Sequence, residues 1–139
     1  MNRPRTIEHV VIIPGRAFSA QGHSAGQYKA RIKEIAAEKI ANPFTKENLS
    51  LRVDHFYESK HKVDGDNVLK CICDGLKEVA YEDDSQITRK EIRQYNINST
   101  LIRIEEPTSP DIFDWLDKEE EFVVVTVRIK EVSVSKRDT

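Results

Sequence analysis

The stretch "EFVVVTVRIKEV", residues 121–132, constrains this chain more than any other. Val123, Val125, Val127 and Ile129 recur at every second position, so on an extended backbone they share one face. Branched side chains at that density favour a strand, and a strand with one apolar face calls for a sheet with something packed on it. Other segments offer partners. "IEHVVIIP" (7–14) reads as a strand stopped by Pro14-Gly15, and "LSLRVDHFYES" (49–59) alternates Leu49, Leu51 and Val53. "SQITRKEIRQYNI" (85–97) and "TLIRIEEP" (100–107) are two more expected strands, joined by a turn at Asn98-Ser99.

Between the strands the period changes. After a loop of small residues (15–26), Tyr28, Ile32, Ile35, Ala36 and Ile40 fall at helical spacing from Gln27 to a stop at Asn42-Pro43. The remaining faces of that helix carry Lys29, Arg31, Lys33 and Lys39. Residues 64–78 form a second helix, with Val68, Leu69, Ile72, Leu76 and Val79 inside one arc of about 100°. "DIFDWLDKE" (111–119) reads as a short helix presenting Ile112, Phe113, Trp115 and Leu116 on a broad apolar side. The expected fold is α+β: a single mixed β-sheet with two main helices packed on it. At 139 residues the chain suits one domain, 1–139, with a frayed end at 133–139.

Charged residues make up 33% and hydrophobic ones 38%, a balance compatible with a packed core. A formal charge of −2 excludes a global basic field, so any nucleic-acid contact must rest on local patches. No apolar run approaches the ~18 residues of a membrane span, and the first apolar segment lacks a cleavage pattern, so it reads as a strand and not a signal peptide. Cys71 and Cys73 lie about 200° apart on the second helix and cannot easily bridge. They read as packing residues in a reducing, cytoplasmic setting.

The chemistry gathers around the second helix. Asp64 stands at or before its first turn, where a carboxylate caps free N–H groups. Asp66, Lys70 and Asp74 make a polar stripe opposite the apolar arc, with Asn67 beside it, so Asp66 and Lys70 can touch. A helix rising ~1.5 Å per residue puts Leu76 about 15 Å from Asp66, and an extended return from Lys77 to Asp84 covers up to about 25 Å. "EVAYEDD" can therefore run back and deliver Asp83 or Asp84 near the helix start. Three converging carboxylates repel one another unless a cation neutralises them, and an all-oxygen set favours Mg²⁺ or Mn²⁺ over zinc. Such a site suits phosphodiester hydrolysis, with Lys70 placed to stabilise negative charge in the transition state. "DGDN" also resembles the start of an EF-hand loop, but Val68 takes the third ligand position and Asp74-Gly75 fall at the wrong places. His55 and His61 read as strand or surface residues and not as ligands.

"VDGDNVLKCICDGL" followed by "YEDDSQI" resembles the signature of the RusA family of Holliday-junction resolvases. That pattern has Asp-x-Asp-Asn, a Lys four after the second Asp, an Asp-x-Leu, and then Asp-Asp-x-Gln. Asp64, Asp66, Asn67, Lys70, Asp74, Leu76, Asp83, Asp84 and Gln86 meet every position, with the signature core spanning 62–90. The resemblance implies that Asp64, Asp66 and Asp84 bind catalytic Mg²⁺, with Mn²⁺ as a substitute. Asp84 is preferred over Asp83 as the second acid of the pair, and Lys70 is the catalytic lysine. It further implies a homodimer that cuts two symmetry-related strands of four-way DNA in recombination and repair, of a kind often encoded by prophages. The chain departs from the family after its first strand, where Pro14 and Ser19 are present but the Asn of a Pro-Ser-x-Asn segment is not. Residues 99–120, with Trp115, look like an addition before the last strand: core packing or a lid on one reading, a DNA wedge or dimer contact on the other.

Arg16 in the loop, Lys29 on the first helix, Lys60 and Lys62 before the acids, and Asn67 are the expected DNA contacts, gripping phosphates without reading bases. Two competitors make different predictions. A RusA-like module that is catalytically inactive would bind junctions without nicking them, and a metal-stabilised interaction protein would not bind DNA at all.

Overall fold

The structure, a computed structural model, describes residues 3–20 and 22–133. Its first strand, β1 (Arg3–Pro14), leads through a loop to helix α1 (Ala25–Lys39), and the chain returns as β2 (Leu49–Tyr57). Helix α2 (Gly65–Leu76) then crosses over to β3 (Ile87–Asn96), a short helix α3 (Asp111–Asp117) follows, and β4 (Phe122–Ser133) closes the order. The expected frayed end lies, from residue 134 on, outside the described residues.

The four strands form one mixed sheet in the order β1-β4-β2-β3. β4 runs antiparallel to both β1 and β2, with Val125 opposite Val11 on one side and Val53 on the other, while β2 and β3 are parallel. A parallel pair cannot be joined by a hairpin, and α2 supplies the crossover. This is the α+β architecture expected from the periodicities.

Helices α1 and α2 cover one sheet face. Tyr28, Ile32 and Ala36 of α1, and Val68, Ile72 and Leu76 of α2, meet Val11, Ile13, Leu51, Val53, Val125 and Val127 there. The two helices approach closely where Gly75 lies against Ile32: a Cβ on Gly75 would come within 2.9 Å of the Ile32 Cβ. Helix α1 starts two residues earlier than the spacing predicts, because Ala25 and Gly26 are as small as the loop residues before them.

The other sheet face is covered by the segment after β3. Ile104, Ile112, Trp115 and Leu116 pack on Phe56, Phe122 and Val124. Phe56 is stacked between Tyr95 and Phe122, at centroid distances of 4.7 and 4.4 Å. The expected strand at 100–107 does not form; only the turn before it does, closed by the Ser99 N–H on the Asn96 carbonyl. The carbonyls of Glu105 and Glu106 accept instead from the guanidinium groups of Arg52 and Arg93, at 2.7–2.8 Å. Side-chain donors thus satisfy backbone that a neighbouring strand would otherwise have to pair. Trp115 is engaged on Phe122, whereas Phe113 and Leu101 remain exposed.

Candidate active site

Helix α2 begins where Asp64 caps it: the Asp64 Oδ1 accepts the Asp66 N–H at 3.0 Å. Its entry is held from the side. Gln94 on β3 donates to the Val63 carbonyl at 2.8 Å and to His55 Nδ1 at 3.2 Å. Gly65 fits because a Cβ there would come within 3.1 Å of Gln94 Oε1 and 3.3 Å of the Ile92 side chain. His55 is fully buried on β2, and burial lowers its pKa to about 4, so it is a neutral acceptor at pH 7. His55 is thus a strand residue, as expected, and His61 pairs with Glu121 at 3.0 Å.

After α2 the chain turns through Glu78 at φ 74° and plugs Tyr81 into the core, its hydroxyl donating to the Cys73 carbonyl. It then runs beside Phe44, whose N–H donates to the Ala80 carbonyl while its carbonyl accepts the Glu82 N–H. Gln86 locks the next turn. Its Oε1 accepts the N–H groups of Glu82 and Asp83 at 2.9 Å each, and its Nε2 donates to the carbonyls of Phe44 and Glu47 at 3.0 and 3.2 Å. Asp83 caps the short turn Asp84–Gln86 by accepting from both the N–H and the hydroxyl of Ser85, and those bonds hold its carboxyl below the usual range. Asp84 is left to face the helix.

The result is an open cleft lined by Asp66, Leu69, Lys70, Cys73, Asp74, Asp84 and Lys90. Two of the three expected carboxylates, Asp66 and Asp84, share it with Lys70. Asp64 is not part of its lining: it sits at the helix start with one oxygen committed to the cap. Among the described residues no three His, Cys, Asp or Glu side chains converge into a ready cage for a metal. Asp66 and Lys70 form no ion pair, and Asp74 instead holds Lys29 at 3.3 Å. That contact occupies one of the expected DNA-binding cations. Burial raises the Cys73 pKa to about 11, and nearby Asp84 and Asp74 push it the same way. Both cysteines are free and buried, which suits packing and not ligation.

The donor chemistry nonetheless suits a hard divalent cation. Asp66 and Asp84 are both exposed, offer only oxygen, and come from separate elements across an open cleft. Mg²⁺ keeps several waters and typically takes one or two carboxylates, so it needs no all-protein cage.

Lys90 was not among the expected site residues. A signal existed: Ile92 on the same strand faces the helices, and strand alternation puts Lys90 and Gln94 on that face too. Of the remaining candidates, Lys60 and Lys62 are exposed beside the α2 entry, with Lys62 5.9 Å from the Tyr57 ring centroid. Arg16 lies in the β1–α1 loop, 5.4 Å over Phe18. That loop reaches α2, where the Ala20 N–H donates to the Asn67 carbonyl at 3.3 Å.

A family model described as endodeoxyribonuclease RusA matches residues 16–105, which include every residue of the cleft. No curated protein matches the chain. Among the described residues no helix is long and apolar enough to cross a membrane.

Proposed function

This chain belongs to the RusA endodeoxyribonuclease family, and on that premise we propose that Asp66 and Asp84, with Asp64 beside them, hold Mg²⁺ against a phosphate of branched DNA. The protein is a nuclease of the Holliday-junction resolvase type, from a metal-dependent family that acts on branched DNA in recombination and repair. The observation that carries the site assignment is the cleft itself, in which Asp66, Asp84, Lys70 and Lys90 face one another. Mn²⁺ is the expected substitute, since both ions favour oxygen ligands.

A bound divalent ion supplies charge neutralisation at the phosphate and a more acidic water. The chain's own residues do the rest. Lys70 and Lys90 approach the non-bridging phosphate oxygens and stabilise the extra charge of the transition state. The Gln86 bonds keep Asp84 turned to the cleft, and the Asp64 cap keeps the first turn of α2, hence Asp66, in place. Lys60, Lys62, Arg16 and Asn67 grip flanking phosphates, and Lys29 joins them on leaving Asp74. Two copies act as a homodimer on the paired strands of a four-way junction. The free, buried thiols accord with a reducing cytoplasm. We read 1–139 as one domain in which 99–120 is an addition; the packing of Ile104, Ile112, Trp115 and Leu116 over the sheet face opposite the two main helices supports a covering role for it.

The test uses labelled four-way junction, fork and duplex DNA with and without Mg²⁺. Asp66→Asn, nearly isosteric, is expected to lower junction cleavage by roughly two to three orders of magnitude while junction binding persists. Full cleavage by that variant would sink the assignment. Junction binding by the unaltered protein with no nicking at any enzyme concentration would sink the activity.

A further inference from the structure

A second depression shares no residue with the acid cleft. It is lined by Arg16, Phe18, Ser24, Gln27, Tyr28 and Arg31. Tyr28 is only 4% exposed, and its hydroxyl is buried without a hydrogen-bond partner among the described residues. A buried tyrosine hydroxyl ordinarily finds one, so this orphan on a residue that lines the depression can pair with an acceptor from outside once the side chains that cover it shift. Burial also raises the Tyr28 pKa, which leaves the hydroxyl a donor at any working pH.

The surroundings specify an anion. Arg16 is poised over Phe18, which itself meets Tyr28 edge-on at 5.7 Å. Arg31 passes Gly15, where a Cβ would lie 3.8 Å from its guanidinium. Neither arginine has an acidic partner among the described residues, and no acid lines the depression. Three arginines of the opposite sheet face differ: Arg52, Arg93 and Arg128 are held by Asp54, Glu91 and Glu8. Helix α1 adds its positive end, since no side chain caps it and no acid occupies its first turn.

We propose that this depression is a second phosphate subsite, in which Arg16, Arg31 and the Tyr28 hydroxyl hold one backbone phosphodiester of the DNA. The proposal rests on the nuclease reading for the identity of its ligand. Because the loop from Arg16 reaches Asn67 at the start of α2, a strand fixed here is held in register with the acids. Two guanidinium groups and a neutral hydroxyl suit a phosphate, and nothing in the lining discriminates between bases.

The test is junction binding by the full chain, with metal chelated, across a series of salt concentrations. The double variant Arg16→Gln, Arg31→Gln should lower the slope of log K against log salt by roughly one, the loss of a single phosphate contact. Tyr28→Phe should weaken binding roughly three- to tenfold with the slope unchanged, since it removes a donor but no charge. A structural role predicts the reverse for Tyr28→Phe: an orphan hydroxyl removed, stability gained and binding untouched. That result, or an unchanged slope in the double variant, overturns the subsite. Thermal melts with inorganic phosphate separate the two sources of anion. A phosphate-dependent rise in Tm that the double variant lacks, with DNA binding unaltered, would mark a free-anion site and overturn the DNA assignment. If the unaltered protein neither binds nor nicks junctions, the nuclease reading has failed instead.

Discussion

Replacing Gln86 by Leu should damage both the fold and the cleft. The side chain is 7% exposed and makes four hydrogen bonds, two accepted from Glu82 and Asp83 and two donated to Phe44 and Glu47. At ~0.5–1.5 kcal/mol net each, their loss costs about 2–6 kcal/mol. Glu82 and Asp83 are exposed, so water recovers part of that on their side, and about 3 kcal/mol is expected. For a chain of this size that lowers Tm by roughly 10 °C. Urea titration gives the stability, and junction cleavage at a temperature where both proteins are folded gives the second readout. Cleavage should fall at least roughly tenfold beyond any loss of folded protein, because Asp84 follows directly on the released Asp83. Gln86→Glu serves as a control: its carboxylate still accepts from the two N–H groups but faces two carbonyls, so it is destabilising at neutral pH and recovers as it protonates. A Leu variant within about 0.5 kcal/mol of the parent and cutting at the parental rate would refute the locking role.

His55 predicts a pH dependence of known sign. Its pKa falls from 6.5 unfolded to about 4 folded, chiefly through burial, so its contribution is complete above pH 6.5 and is lost as pH falls towards 4. At ~1.4 kcal/mol per pH unit the loss is about 3 kcal/mol, measured as the difference between the parent and His55→Asn in urea titrations at pH 7 and pH 4; equal pH dependence in both proteins would contradict it. Gly75→Ala should cost about 1–3 kcal/mol, because the new methyl would meet the Ile32 Cβ at 2.9 Å and the Lys29 carbonyl at 3.2 Å. Its cleavage at low temperature should survive if α1 and α2 part only slightly, and a neutral or stabilising result in denaturation would show that the helices accommodate it.

Local periodicity carried much of this protein. The alternation of Val123 to Ile129 and the wheel of α2 are properties of a few consecutive residues. The alternation appears as read, and so do Val68, Ile72 and Leu76 of the wheel, whereas Leu69 is half-buried at the cleft and Val79 lies beyond the helix end. The signature acids were equally legible, because their spacing along one helix and one return segment is written in the chain. The reach of "EVAYEDD" showed only that Asp84 could come back to α2. Its arrival depends on Tyr81 filling the core and on Gln86 binding a loop some forty residues earlier, at Phe44 and Glu47. The same distance explains the missing strand at 100–107. Its alternating residues suit a strand, but Arg52, more than fifty residues earlier, takes up the carbonyls of Glu105 and Glu106, with Arg93 sharing the first.

Sequence by itself therefore determined most of the elements, most of their apolar faces, and the side chains that match the family signature, since these follow from neighbours one to four positions away. Tertiary structure decided which acids meet. It turned Asp83 to its own cap and Asp64 to the helix start, set Asp66 and Asp84 on one cleft, and added Lys90 from a neighbouring strand. Those choices are made by hydrogen bonds and packing between distant segments, which no local period encodes.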